Sequence, residues 1–296
     1  MALGLGAFST LATILAFFGG AWWGFDLLAN FRWHLMWAAL IAAVIYALTA
    51  RGIATIIFLV IVVVNGFILA PLWLGSQPEG TGEDGTTVVA IDLYGGTSDE
   101  EGTLRWLFDS GADVIIASGV SSQRLAPIVE DGSPYQVLAR PEFDDRSGII
   151  VLGAADYAAE QEITAGFAQQ IIRVTVPAGA GTVDIVTAWG EIANNQSKSD
   201  ALAERLEAIE SVVAASESPV AVIGSIGATR FASGMRSLFG STGLRDATEG
   251  AGYKSTWPSS SIPIIGGWIG IPLDVVLMTE GITPFEFETG PDLGSS

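Results

Sequence analysis

The chain has 296 residues, no cysteine and one histidine, and its 32 acidic residues against 13 basic ones give a net charge of −19. This composition excludes a disulfide scaffold and thiol chemistry, disfavours histidine-rich metal sites, and argues against nucleic acid as a partner, because Lys and Arg supply the affinity for phosphates. The mean hydropathy of +0.48 is too high for an ordinary soluble domain and predicts that part of the chain lies in lipid.

Residues 1–74 form the predicted membrane region. It contains three apolar runs, at residues 5–25, 34–50 and 53–74. Each run approaches the roughly 20 helical residues that cross a bilayer core, and none has a polar face that would suit a helix of a soluble bundle. The sequence therefore predicts three transmembrane helices and places the chain in contact with the lipid bilayer.

The few charges of this region predict its orientation. Arg51 is the charged residue between the second and third runs, so the positive-inside rule places that turn in the cytoplasm. An odd number of spans then places the rest of the chain on the opposite side of the membrane. Arg32 lies on that opposite side in this scheme, close to Asp26.

Two features predict close packing of the helices. Gly20 and Gly24 have the GxxxG spacing that lets helices approach one another, and Asn65 lies in the middle of the third run, where an amide requires a partner. The partner is either the chain's own helix bundle or another membrane subunit.

Residues 75–86 are rich in Gly, Pro and acidic residues, which predicts a flexible linker. Strands and helices alternate after it, through residues 87–296. The predicted strands are 87–94, 112–117, 148–152, 170–176, 183–188, 220–224, 273–278 and 282–289, and the predicted helices are 98–110, 123–130, 199–215 and 231–240. Long apolar strands separated by helices predict a layered α/β domain.

Four segments of this domain resemble the endonuclease/exonuclease/phosphatase superfamily, which has the DNase-I-like fold. They are residues 222–229 (VIGSIGAT), 243–258 (GLRDATEGAGYKSTWP), 271–277 (IPLDVVL) and 290–295 (GPDLGS). The chain is most similar to the bacterial members that carry membrane helices ahead of the domain. The resemblance implies a four-layer α/β sandwich of two packed sheets, and a multi-pass protein of the bacterial inner membrane with its C-terminal domain in the periplasm.

The resemblance also implies where a catalytic site would lie, and most positions depart from the family's residues. The family has Asn, a metal-binding Glu, His, Asp, Asn, Asp, His and a final Asp–His pair; this chain has, in the same order, Asp92, Gly119, Trp189, Ser225, Gly227, Asp274, Val275 and Ser296. Trp189 would either plug the former pocket or present an aromatic ring to a partner. The family's last strand follows the final Asp–His pair, so we expect a domain that lacks this strand and has a sheet edge open to a partner.

These departures lead to a functional expectation. Phosphodiester hydrolysis by the family needs a hard cation, an activated water and stabilisation of developing charge, whereas the predicted site has only Asp92 and Asp274, scattered along the chain. The sequence therefore predicts no cofactor, no metal and no catalysis, and a membrane-anchored accessory or assembly subunit of a larger membrane complex. One alternative is a metal-dependent phosphoesterase that acts on lipid head groups or other phosphates with a rebuilt site. A second is a small-ligand binding protein that uses the old cleft.

Overall fold

The computed structural model describes residues 2–75, 85–94, 99–120, 133–140, 148–154, 160–163, 171–179, 181–257 and 269–291. A helical region comes first. Its elements are α1 (Ala2–Leu15), which continues as a 3-10 helix (Ala16–Ala21), α2 (Trp23–Ala29), α3 (Arg32–Leu48), α4 (Gly52–Leu69) and α5 (Pro71–Leu74).

Among the described residues, two helical segments are long and apolar enough to cross a membrane, Leu3–Ala21 and Gly52–Leu69. A third exists if α2 and α3, which meet at an angle of 71°, form one bent span. Membrane association is thus supported, with two or three candidate spans in the part of the chain that the structure describes. The first run ends at Ala21 and not at residue 25, because Trp22 is extended (φ −162°, ψ 135°) and the chain turns there into α2.

α1, α3 and α4 pack against one another around a small polar network. The Asn65 amide donates to the Thr13 hydroxyl (2.9 Å) and accepts from the Arg32 guanidinium (3.4 Å), which also lies 4.5 Å from the centre of the Phe17 ring. The predicted partner of Asn65 is therefore found within the chain's own bundle. Gly20 does not take part in close packing, since no atom lies within 4 Å of the position a Cβ would take there.

The α/β region contains three helices and ten strands among the residues that the structure describes. The helices are α6 (Glu100–Asp109), α7 (Gln196–Ala215) and α8 (Ser233–Thr242). The strands are β1 (Val88–Asp92), β2 (Val114–Val120), β3 (Tyr135–Ala139), β4 (Gly148–Ala154), β5 (Glu160–Ile163), β6 (Ile171–Ala178), β7 (Gly181–Ala188), β8 (Val220–Ser225), β9 (Arg245–Asp246) and β10 (Asp274–Met278).

The strands form two sheets. One has four strands in the order β1-β2-β4-β3, and the other has six in the order β5-β6-β7-β8-β10-β9. Within them β1 pairs with β2 and β7 pairs with β8 in parallel, and the remaining pairs are antiparallel. β1 stands at an end of the four-stranded sheet.

Alternation along the strands builds the layers. Ile116 of β2 faces the second sheet and contributes to the central core, whereas its neighbour Ile115 faces α6, because successive side chains of a strand point to opposite faces. On the other sheet, α7 and α8 cover the outer face through Leu206, Ile209 and Met235. The order helix, sheet, sheet, helix agrees with the predicted layered α/β domain.

The strand predicted at residues 282–289 is absent, since residues 282–291 carry no strand in the structure. Gly281 turns the chain with a φ of 96°, and Pro284 removes a backbone donor that a strand would use. In the other direction, β3, β5 and the two-residue strand β9 were not predicted. β5 has the polar sequence EQEI and gives no hydrophobic signal of a buried strand. The predicted helix at 123–130 lies outside the described residues.

The helical region contacts the α/β domain directly. Asp26 accepts a hydrogen bond from the Ser233 backbone N–H (2.6 Å), and Asn30 accepts one from the Thr229 N–H (2.8 Å). We call this contact surface the junction. Gly75, at the start of the predicted linker, lies against Glu249; residues 76–84 lie outside the described part of the chain.

Candidate functional site

Strands of both sheets bring four of the predicted site residues to one end of the sandwich. Asp92 ends β1, Ser225 ends β8 and Asp274 begins β10, directly opposite Ser225 in the antiparallel pair. Trp189 follows β7, whose partner β8 runs parallel to it, so both strands finish at the same edge. We call the space between these residues the cleft.

Asp92 and Asp274 form a carboxylate pair in the cleft. Hydrogen bonding from the Ser225 side chain lowers the pKa of both carboxyls. A hydroxyl carries one proton, so Ser225 can donate to only one of them at a time. The two residues that looked scattered in the sequence therefore lie close enough together to interact with the same serine.

The pair carries an electrostatic cost. Burial raises the pKa of Asp92, opposed by hydrogen bonds from the Tyr94 N–H, Trp189 and Ser225. Burial of its carboxyl raises the pKa of Asp274 to about 6, and the negative charge on Asp92 adds to this effect. Asp274 is nonetheless exposed when the whole residue is considered. The cleft thus contains two carboxyls whose pKa values are both raised, that of Asp274 to about 6.

Trp189 holds Asp92 in place. Its indole Nε1 donates to Asp92 Oδ2 over 2.9 Å, and its ring lies 5.0 Å from the Tyr94 ring at an angle of 44°. The backbone N–H of Tyr94 donates to the other oxygen, Oδ1, over 2.9 Å. Both oxygens of Asp92 are therefore oriented by fixed donors. The half-buried Trp189 side chain acts here as a donor to Asp92.

A second group of polar residues, not foreseen from the sequence, borders the cleft. The Tyr94 hydroxyl donates to Glu191 Oε1 (2.6 Å), and Lys198 Nζ lies 2.6 Å from Glu191 Oε2. The hydrogen bonds from Lys198 and then Tyr94 lower the pKa of Glu191, and Glu191 in turn raises the pKa of Tyr94. Glu191 follows Trp189 closely in the chain, but no pattern in the sequence pairs it with Tyr94.

Two of the family positions admit only glycine. Gly119, where the family has its metal-binding Glu, has a φ of +67°, and a Cβ there would lie 2.4 Å from the Tyr94 backbone N. Gly227 has a φ of +86°, and a Cβ there would lie 2.3 Å from the Glu191 carbonyl oxygen. Contacts this short require backbone movement, so neither position can present a side chain to the cleft.

Arg205 of α7 supports two loops behind the cleft. Its guanidinium donates to the Ile226 carbonyl over 3.2 Å and lies where a side chain at Gly190 would be. The residue is 6% exposed, and burial lowers its pKa. Of the remaining family positions, Val275 is buried in the core beneath α7 and α8, and Ser296 lies outside the described residues.

The donor set fits one kind of cation site. Among the described residues no group of three or more His, Cys, Asp or Glu side chains converges, so a cage made entirely of protein ligands is not formed there. Mg²⁺, however, keeps several waters and is commonly held by one or two carboxylates together with substrate phosphate. Asp92 and Asp274 supply that number of carboxylates, and a cation would relieve their mutual repulsion.

Comparison with known proteins identifies the fold. No protein-family model matches the chain, and no curated protein matches it by sequence. Among solved structures, D. rerio TDP2 complexed with single-strand DNA product is similar at 14% identity with a TM-score of 0.55, covering 68% of this chain and 87% of that one. Truncated Caenorhabditis elegans TDP2 is similar at 14% identity with a TM-score of 0.52, covering 67% of this chain and 85% of that one.

These neighbours belong to the endonuclease/exonuclease/phosphatase superfamily, and the chain has their DNase-I-like fold. The expectation that the chain is not an enzyme was wrong by this comparison: its structural neighbours are enzymes, and one of them is seen with its reaction product. That expectation treated Asp92 and Asp274 as isolated, whereas the structure places them together. The predicted non-catalytic accessory role depended on it.

Proposed function

We propose that this protein is a membrane-associated, divalent-cation-dependent phosphoesterase whose site is the Asp92–Asp274 pair. The observation that supports the proposal is that Asp92, at the end of β1, and Asp274, opposite Ser225 at the start of β10, come together where the resemblance puts the family's catalytic residues. Neighbouring acids with raised pKa values are typical of functional sites, because their repulsion does not stabilise the fold.

Charge neutralisation requires the cation. Among the described residues that border the cleft, Lys198 is paired with Glu191, and Arg205 is buried behind the loops. A phosphate ester would therefore meet negative charge from Asp92 and Asp274. A bound divalent cation supplies the missing positive charge and polarises the phosphoryl oxygen.

The two carboxylates have different parts in this scheme. Asp92 is oriented by Trp189 and the Tyr94 N–H, so it acts as a fixed ligand. Asp274 has a pKa of about 6, so it is mostly charged at neutral pH and would be available to a cation.

The place of action follows from the helical region. Arg51 in the turn between α3 and α4 favours a cytoplasmic turn, so we place the domain on the periplasmic side of a bacterial inner membrane. The net charge of −19 makes nucleic acid an unfavourable substrate, in contrast to the DNA-bound fold neighbour. Phosphate esters of small molecules or of lipids remain as the substrate class.

The test uses the full chain in detergent with bis-p-nitrophenyl phosphate and a p-nitrophenyl monoester, each with Mg²⁺, with Mn²⁺ and with chelator. We expect turnover that requires the cation and falls at least about a hundredfold in Asp92→Asn and Asp274→Asn. Asp109→Asn, at an exposed acid at the end of α6, is the matched control and keeps full activity. Equal activity in Asp274→Asn, or turnover of neither ester with either cation, would overturn the proposal.

A further inference from the structure

The helical region is fastened to the loop that leaves the cleft. This loop runs from Ser225, at the carboxylate pair, to Thr229 and on to the first turn of α8. Asn30 accepts from the Thr229 N–H, and Asp26 accepts from the Ser233 N–H. Asn30 is 4% exposed and Thr229 is fully buried, so the first of these hydrogen bonds is shielded from water. Its loss would leave a buried donor without its partner.

A second set of contacts fixes the same end of the domain. The carbonyls of Pro71 and Leu72 in α5 accept from the N–H groups of Gly250 (3.2 Å) and Gly252 (2.7 Å). The ring of Trp33 stacks on Tyr253 at 4.8 Å between centroids. The helices thus hold the domain from two sides, at the loop after β8 and at the segment before Thr256.

Apolar contacts fill the space between these two attachments. Phe231, which is 5% exposed, packs with residues of the 3-10 helix, α2, α4 and α5; these are Ala16, Ala29, Leu69 and Leu72. The attachment therefore has its own buried core, and it differs from a flexible tether, which would leave these surfaces in water.

The junction lies where apolar helical segments end. Ala16 of the 3-10 helix that ends at Ala21 and Leu69 at the end of α4 pack here, and the rings of Trp33 and Trp73 stack beside them at 5.7 Å between centroids. Tryptophans concentrate at membrane–water interfaces because the ring is apolar and its N–H is polar. A stretch of four residues, as from Ser225 to Thr229, spans at most about 14 Å. The cleft is therefore within about 14 Å of the junction. For comparison, the head-group layer on each side of a bilayer is roughly 5–8 Å thick.

We propose that the substrate is the phosphate ester of a lipid in the bilayer that holds the chain, and that Asp26 and Asn30 are positioning residues that keep the cleft at that surface. The inference rests on the proposed phosphoesterase function. A cleft held close to the head-group layer meets lipid phosphates at high local concentration, whereas a soluble ester gains nothing from the attachment.

The activity test compares two substrates in the same preparation. The full chain is reconstituted in vesicles of phosphatidylethanolamine and phosphatidylglycerol, and release of phosphorylated head groups is measured beside hydrolysis of added bis-p-nitrophenyl phosphate. We expect Asn30→Ala and Asp26→Ala to lower lipid hydrolysis at least about tenfold and to change soluble ester hydrolysis by less than about twofold. Asn30→Asp keeps the acceptor and should keep most of the lipid activity. The control Thr55→Ala removes an exposed hydrogen bond at the far end of α4 and should change neither rate.

The outcomes separate the two proposals. Hydrolysis of the soluble ester without hydrolysis of lipid, or an equal loss of both activities in Asn30→Ala, would overturn this inference and leave the phosphoesterase function standing. Turnover of neither substrate by the unmodified chain would overturn the phosphoesterase function itself.

A second measurement tests the placement without activity. The chain has no cysteine, so single cysteines can be labelled specifically. A fluorophore at Lys254→Cys, beside Tyr253, should be quenched by brominated lipid, whereas one at Glu217→Cys, just before β8 at the opposite end of the domain, should not. Equal quenching at both positions, or stronger quenching at the second, would show that the cleft end does not face the bilayer.

Discussion

The junction and the cleft lie next to each other on the loop after β8, yet their acidic and amide side chains have opposite environments: paired donors at the junction and a like charge in the cleft. At the junction, Asp26 and Asn30 each accept a backbone N–H that would otherwise lack a partner. In the cleft, Asp92 and Asp274 face one another, and the charge of the first raises the pKa of the second. The hydrogen bonds of the junction stabilise the attachment of the helices to the domain, whereas the repulsion between Asp92 and Asp274 in the cleft stabilises neither the fold nor the attachment.

This difference indicates that the cleft lowers the stability of the folded state, whereas the junction raises it. A carboxylate that accepts backbone N–H bonds is stabilised in its charged form, whereas two neighbouring carboxylates are destabilised when both are charged. Residues held at such a cost concentrate at functional sites, because a cation or a reacting group recovers the energy. Removing one of the two cleft carboxylates should therefore lower activity without lowering stability, whereas removing an acceptor at the junction should lower both stability and activity on lipid.

The largest effect is expected from Asp274→Asn. Phosphoester hydrolysis should fall at least about a hundredfold, because the pair no longer holds a divalent cation. The melting temperature in chelator should stay equal or rise, since the repulsion from Asp92 is gone. Thermal unfolding followed by tryptophan fluorescence, together with ester turnover, measures both. A clear fall in melting temperature would show that Asp274 serves the fold and would remove the contrast between the two regions.

The second effect concerns Gly119. Restoring the family's acid with Gly119→Glu should not create a better cation site, because the new Cβ would meet the Tyr94 backbone beside Asp92. We expect a loss of about 1–3 kcal/mol of stability from a strained backbone, with reduced activity. Gly111→Ala is the matched control, because Gly111 has a φ of +65° and open space around the missing Cβ. Higher activity in Gly119→Glu, measured by ester turnover, would contradict this interpretation.

The third effect tests the junction. Asn30→Ala leaves the buried Thr229 N–H without an acceptor, which costs about 1–3 kcal/mol. Hydrogen exchange followed by mass spectrometry should show faster exchange in the segment that contains Thr229 and Phe231. Exchange in α6, at the far side of the sandwich, should not change. Unaltered exchange around Thr229 would mean that the attachment does not hold this loop.

The smallest effect is the pH dependence of stability without metal. The pKa of Asp274 is raised in the folded chain, to about 6 from 3.8, so between these values the folded state binds more protons than the unfolded state. Stability from this group is therefore fully present below about pH 4 and is lost as the pH rises to about 6. The melting temperature of the unmodified chain relative to Asp274→Asn should fall over this window. A difference between the two that is independent of pH would contradict the raised pKa.

Local sequence patterns predicted much of the architecture. The continuous apolar runs of the helical region and the buried strands β2, β4 and β8 were found at or near their observed places, because hydrophobicity and side-chain period are properties of neighbouring residues. The amphipathic helix α7 was found for the same reason. Polar β5 was missed, since its pairing with β6 and not its own sequence makes it a strand.

The sequence by itself determined the apolar helical segments, the alternation of strands and helices, and the acidic balance, because these depend on composition and on spacing of a few residues. The tertiary structure decided the function-bearing contacts. Asp92 and Trp189 are 97 residues apart in the chain, and Asn30 and Thr229 are 199 residues apart, yet each pair is joined by a hydrogen bond. Pairings at such separations depend on how whole sheets and helices pack, and no local period encodes them. For that reason the sequence did not pair Asp92 with Asp274, which lie on strands of two different sheets.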